Sequence, residues 1–166
     1  MKKTIKFEIQ VTAKLLWRFS MYHTNRGATG LFNLIFTVAA LALLVTRWGV
    51  SSGMYRFTML FCAMIFTVLQ PLMLYRKATA QARQPALKEP MALEFSEEGL
   101  LVRQMEQEAQ FAWDQIGRID KTRKMIIVYM DRIHAYLIPE ELYADNLEEF
   151  TALLHEYLPK ERLKRI

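Results

Sequence analysis

At 166 residues the chain has room for little beyond two long apolar helices and one small domain. Its net charge of +5 is unevenly placed: basic residues crowd 1–26 and 76–90, while from Met91 onward 10 basic side chains face 15 acidic ones. No stripe of Arg/Lys interleaved with aromatics recurs, which excludes a nucleic-acid surface, and a single cysteine, Cys62, excludes a disulfide within the chain.

The first element is a strand. In residues 4–11, TIKFEIQV, Ile5, Phe7, Ile9 and Val11 alternate with Thr4, Lys6, Glu8 and Gln10, the period of a half-buried strand. Thr12 is placed to cap a helix in which Leu15, Leu16, Phe19, Tyr22 and His23 recur at helical spacing. Trp17, Lys14, Arg18 and Arg26 suit a membrane interface; packing of the same apolar face on a soluble domain satisfies the pattern equally well. Asn25, Arg26 and Gly27 break this helix.

Two uncharged blocks follow, Leu31 to Val45 and Phe57 to Tyr75, joined by a link containing Gly49, Gly53 and two serines. At about 1.5 Å per residue each is long enough to cross a hydrocarbon core of about 30 Å. The expectation is a transmembrane hairpin over residues 27–75. Lys and Arg at both of its ends, against only Arg47 and Arg56 in the link, put both chain termini on the cytoplasmic side of the membrane. The charged leader is too long for a signal peptide, and a second span follows at once. Trp17, Trp48, Tyr55, Tyr75, Arg76 and Lys77 are then interface residues. Asn33 and Gln70, and Thr37 and Thr67, fall at similar depths from the cytoplasmic ends and form the candidate polar contact within the spans. Pro71 is expected to kink the second span.

Residues 76–90 form a basic linker ending in Pro85 and Pro90, and residues 91–166 the soluble domain. Its strands are read at 91–95, 100–104, 109–113, 116–120, 124–130 and 132–138, with a tight turn at Asp131. A C-terminal helix begins at Asp145 with Glu148 in capping-box spacing. The fold class is membrane α+β: a two-helix hairpin plus a small, curled, barrel-like antiparallel sheet closed by the C-terminal helix. The strand at 4–11 would return to an edge of that sheet.

In this order the chain resembles the YcxB-like family of small bacterial membrane proteins. FEIQVT near the start, AWDQIGRID in the fourth-strand region and IPEELY followed by EEFTALL carry the likeness, which spans most of the chain. The resemblance implies a cytoplasmic domain of pleckstrin-homology type, about seven strands with a C-terminal helix, and implies no catalytic residues.

No metal or cofactor is expected. His23, His134 and His155 are far apart, neither HExxH nor CxxC occurs, and the six glycines never cluster into a phosphate loop. The pairs Glu97–Glu98, Glu140–Glu141 and Glu148–Glu149 belong to a turn and helix starts, and Trp113 with Asp114 to a core aromatic beside a turn. The reading is a non-enzymatic membrane-anchored module whose β-domain binds a protein partner. The alternatives are an anionic-lipid sensor, an accessory transporter subunit, which as a homo-oligomer would enclose what two spans cannot, and a protective protein against a membrane-acting toxin. Membrane lipid is a partner in each.

Overall fold

The computed structural model describes residues 4–131 and 134–166. The chain forms two compact units, one built from the segment up to Val11 together with Gln84–Ile166, the other from Thr12–Arg83.

The first unit is the β-domain. Strand β1 (Ile5–Ile9) pairs antiparallel with β2 (Met91–Ser96), with Phe7 opposite Leu93. β2 pairs with β3 (Gly99–Gln104), and β3 with β4 (Gln107–Phe111), giving a four-stranded antiparallel sheet in the order β1-β2-β3-β4. Alternation decides which face is inside: Ile5, Phe7 and Ile9 are buried while Lys6 and Glu8 are exposed. The second sheet has the order β7-β6-β5-β8, from β5 (Arg118–Lys121), β6 (Met125–Tyr129), β7 (Ala135–Pro139) and β8 (Leu163–Lys164). β8 runs parallel to β5, and the other pairs are antiparallel.

Among the described residues no closed barrel forms, so the single curled sheet expected from sequence is corrected to two. The reason lies at Trp113. The sequence run 109–113 reads as strand, but β4 ends at Phe111 and Trp113–Gln115 make one 3₁₀ turn. That turn takes the chain out of the first sheet and into the second. The strand read at 132–138 is seen as Ala135–Pro139, its first two positions lying outside the described residues.

Pro139, read only as a stop, ends β7 and opens a one-turn helix α6 (Glu140–Tyr143). The C-terminal helix α7 (Leu147–Tyr157) begins after Asn146, with no side-chain cap, so the capping box at Asp145 and Glu148 does not form. The backbone turn closed by Asn146 N–H on the Tyr143 carbonyl at 3.1 Å moves the helix start past Asp145. Glu148 and Glu149 still sit in the first turn, where carboxylates favour the helix dipole. α7 buries Phe150, Leu153 and Leu154. The Phe150 ring meets Phe7 at 5.0 Å and Phe95 at 4.9 Å, both edge-on, and this triad is the centre of the core. A one-turn helix α5 (Pro85–Lys88) is tied to the sheet by the Gln104 amide, which donates to the Ala86 and Glu89 carbonyls.

The second unit is helical. α1 (Ala13–Thr24) is capped as its sequence suggests, with Thr12 Oγ1 accepting from Leu15 N–H at 3.2 Å. α2 (Gly27–Thr46) follows. Beyond a link starting at Arg47, α3 (Gly53–Met64), a π-helical turn (Ile65–Leu69) and α4 (Gln70–Ala82) form one continuous helical run of 30 residues. Gly53 is therefore the first residue of a helix capped by Ser52, not a link residue. The distortion expected of Pro71 appears as the π turn just before it. Proline lacks the N–H the preceding turn would use and its ring crowds that turn's carbonyl, so an extra residue is accommodated there.

Candidate functional site

The polar residues of the apolar helices converge at one end of α2. Asn33 is 6% exposed, and its Nδ2 lies 3.4 Å from Gln70 Oε1 on α4 and 3.4 Å from Asn25 Oδ1. Both are long, weak bonds. Among the described residues no hydrogen bond joins Thr37 to Thr67. Each hydroxyl donates to its own helix one turn back, to the carbonyls of Asn33 and Ala63, both at 2.8 Å. These two threonines are thus satisfied locally, and the interhelical polar contact is carried by Asn33 and Gln70.

Sequence reasoning took Asn25 only as a break. The structure adds it to the cluster, and Gly30 explains how. Gly27, at φ +68, turns the chain into α2 so tightly that the Asn25 carbonyl lies over Gly30, where any Cβ would collide with it. The Asn25 side chain is thereby delivered to Asn33. A glycine within the first turn of a predicted span was the available signal.

A small cavity of about 200 Å³ adjoins the cluster, lined by Asn25, Asn33, Thr37, Phe66 and Thr67 among others. Phe66 closes one side, edge-on to Phe36 at 5.4 Å and to Phe32 at 6.2 Å.

The interface residues divide in two. Trp48 and Tyr55 lie near the link: the Arg56 guanidinium stacks on Trp48 at 4.8 Å and donates to its carbonyl at 2.6 Å, and the Tyr55 N–H is held by Ser52. Trp17 and Tyr75 meet edge-on at 6.1 Å, and Trp17 Nε1 donates to the Pro71 carbonyl at 3.1 Å. The apolar face of α1 thus packs on α4, with Leu15 and Ala78 buried, a surface the sequence pattern did not single out. Arg76 and Lys77 beside this contact are exposed.

In the β-domain, Trp113 is a structural anchor. Its indole N–H donates to the Ser96 and Glu97 carbonyls at 3.1 and 3.2 Å, and its ring stacks on Tyr157 of α7 at 5.2 Å. Asp114 contributes its carbonyl, which with that of Ile116 accepts from the Arg162 guanidinium at 3.0 and 3.1 Å. A second cluster escaped the sequence reading. Arg118 Nε lies 3.0 Å from the fully buried Asp120 carboxylate, out of line for a hydrogen bond, and its guanidinium covers the Tyr129 ring at 4.4 Å. Arg118 and Tyr129 face each other across β5 and β6, a pairing visible only once the register is known. The three histidines remain apart from one another in role: His134 bonds Asp131 at 2.7 Å in the turn before β7, and His23 stacks on Phe19. Among the described residues no group of three or more His, Cys, Asp or Glu side chains is placed to hold a metal ion.

No curated protein and no solved structure matched significantly. Residues 95–154 match the family model described as YcxB-like protein. The match runs from the end of β2 to the buried face of α7 and contains AWDQIGRID, IPEELY and EEFTALL, while FEIQVT lies outside it. Through this segment, which holds Phe95, Trp113 and Phe150 of the core, the chain is similar to YcxB-like proteins.

Proposed function

We propose that the chain is a non-enzymatic, membrane-anchored module of the bacterial inner membrane whose β-domain binds a protein partner on the cytoplasmic side. The observation that carries the membrane part is where the apolar side chains of the helical unit point. Two helical runs, Gly27–Thr46 and Gly53–Ala82, contain 18-residue stretches with mean hydropathies of 2.2 and 2.0. Yet Leu31, Phe32, Leu34, Ile35, Val45, Phe57 and Met73 are each more than half exposed. Core helices of a soluble protein hide such residues, and an apolar surface of this extent calls for lipid. What supports the pleckstrin-homology-type reading of the β-domain is its pair of four-stranded sheets with α7 packed on the core.

The partner reading rests on a separately packed β-domain tethered by such helices. Photo-crosslinkers at exposed positions of residues 91–158, in native membranes, should trap one recurrent protein. Recovery of lipid alone, or of the chain itself alone, overturns it.

A further inference from the structure

The helical unit contains eight Lys/Arg residues and no Asp or Glu: the chain has no carboxylate side chain between Glu8 and Glu89. Ion pairing inside this unit is therefore impossible. Near the link, Arg56 is satisfied by Trp48. At the other end, Arg26 is satisfied by Tyr22. α1 brings Lys14 and Arg18 there, and α4 with its C-cap brings Arg76, Lys77 and Arg83. Lys14, Arg76, Lys77 and Arg83 are exposed and make no ion pair among the described residues. Arg18 follows Trp17 and Arg76 follows Tyr75, the two rings that meet at 6.1 Å. Packing α1 on α4 thus brings Lys14 to the helix that carries Arg76, Lys77 and Arg83, like charges that no carboxylate of this unit neutralises.

The position of these cations identifies the missing anion. The run Gly53–Ala82 is 30 residues long, about 45 Å as a helix, against a hydrocarbon core of about 30 Å. Its uncharged stretch ends at Tyr75, and Arg76 and Lys77 come next. If the apolar part lies in hydrocarbon, the cations stand in the layer of headgroup phosphates. Trp17, with its indole fixed on the Pro71 carbonyl, sets α1 at that same level.

We propose that anionic phospholipid headgroups are the counter-ions of the α1–α4 pair, and that their phosphates, bridging cations of both helices, hold α1 against α4. The proposal rests on the membrane reading above and adds a dependence on lipid charge: α1 is docked in an anionic bilayer and loosened in a zwitterionic one.

The test is hydrogen exchange of the full chain in nanodiscs of phosphatidylcholine with and without phosphatidylglycerol. Amides of α1 should exchange at least about tenfold more slowly with phosphatidylglycerol, the size expected when a few surface cations meet anionic lipid. The exposed pair Arg76→Gln/Lys77→Gln should lose most of that difference, and Arg47→Gln, near the link, should keep it. Equal α1 exchange in the two nanodiscs overturns the proposal. So does equal slowing by inorganic phosphate added to phosphatidylcholine nanodiscs, which would assign the site to the free anion. Amides of α2 and α3 should stay protected in both. Free exchange there would overturn the membrane reading itself, a result distinct from failure at α1 alone.

Discussion

Phe7 is the residue on which attachment of the N-terminal strand depends. It is 2% exposed, pairs opposite Leu93, and its ring lies edge-on to Phe95 at 6.1 Å and Phe150 at 5.0 Å. Truncation to alanine removes a ring from the middle of the aromatic triad and leaves a void between two sheet strands and α7. Such Phe→Ala changes cost about 3–5 kcal/mol. A domain of this size is stable by only about 5–15 kcal/mol, so the loss is a large share of the whole. Hydrogen exchange of the β6 amides, read in the full chain in micelles, isolates the β-domain from the helices. Each 1.4 kcal/mol is about tenfold in an opening constant, so Phe7→Ala should speed β6 exchange by on the order of a hundredfold to several thousandfold. Lys6→Ala, on the exposed face of the same strand, should change stability by no more than about 0.5 kcal/mol. If Phe7→Ala alters β6 exchange less than about fivefold, roughly 1 kcal/mol, β1 is not integral to the sheet and its burial has been misjudged.

Three further outcomes are expected. Asn33→Ala should weaken packing of α2 on α4 by about 0.5–2 kcal/mol in a micelle unfolding assay, and a double-mutant cycle with Gln70→Ala should show coupling between the two sites; strictly additive losses would refute the bond. With Cys62→Ala as background, Ser51→Cys should react with an impermeant maleimide in intact cells and Gln107→Cys only after lysis; the reverse pattern overturns the orientation. Burial pushes the Tyr136 phenol above its ordinary value of 10.0, and burial with the nearby Glu140 and Glu141 does the same for Tyr143. Protonated phenol is therefore favoured by the folded state, so stability holds below about pH 10 and falls as pH rises through the folded-state values. Thermal melts across that window should show the decline, and Tyr136→Phe should reduce it; a flat profile would contradict the burial.

Much of this protein is legible in its sequence because the relevant physics is local. A period of two in residues 5–9 makes a strand with one apolar face whatever it pairs with, and uncharged runs of helical length make helices long and apolar enough to cross a membrane. Thr12 caps α1 because capping involves only neighbours. The family likeness was readable for the same reason, since it lies in short contiguous motifs. Beyond the return of the first strand to a sheet edge and the meeting of Asn33 with Gln70, tertiary structure alone decided what joins residues distant in the chain. β1 lies on β2 across more than eighty intervening residues, and a strand's pattern names its buried face but not its neighbour. The sheet divides at Trp113 because the indole finds the Ser96 and Glu97 carbonyls and the Tyr157 ring, partners no local propensity reveals. α1 packs on α4 through Trp17, a contact that an amphipathic pattern leaves open among several surfaces. Arg118, Asp120 and Tyr129 meet through strand register, and Asn25 reaches Asn33 only because Gly30 lets the backbone close in. Periodicity fixes which side of an element is apolar; shape and register choose what covers it.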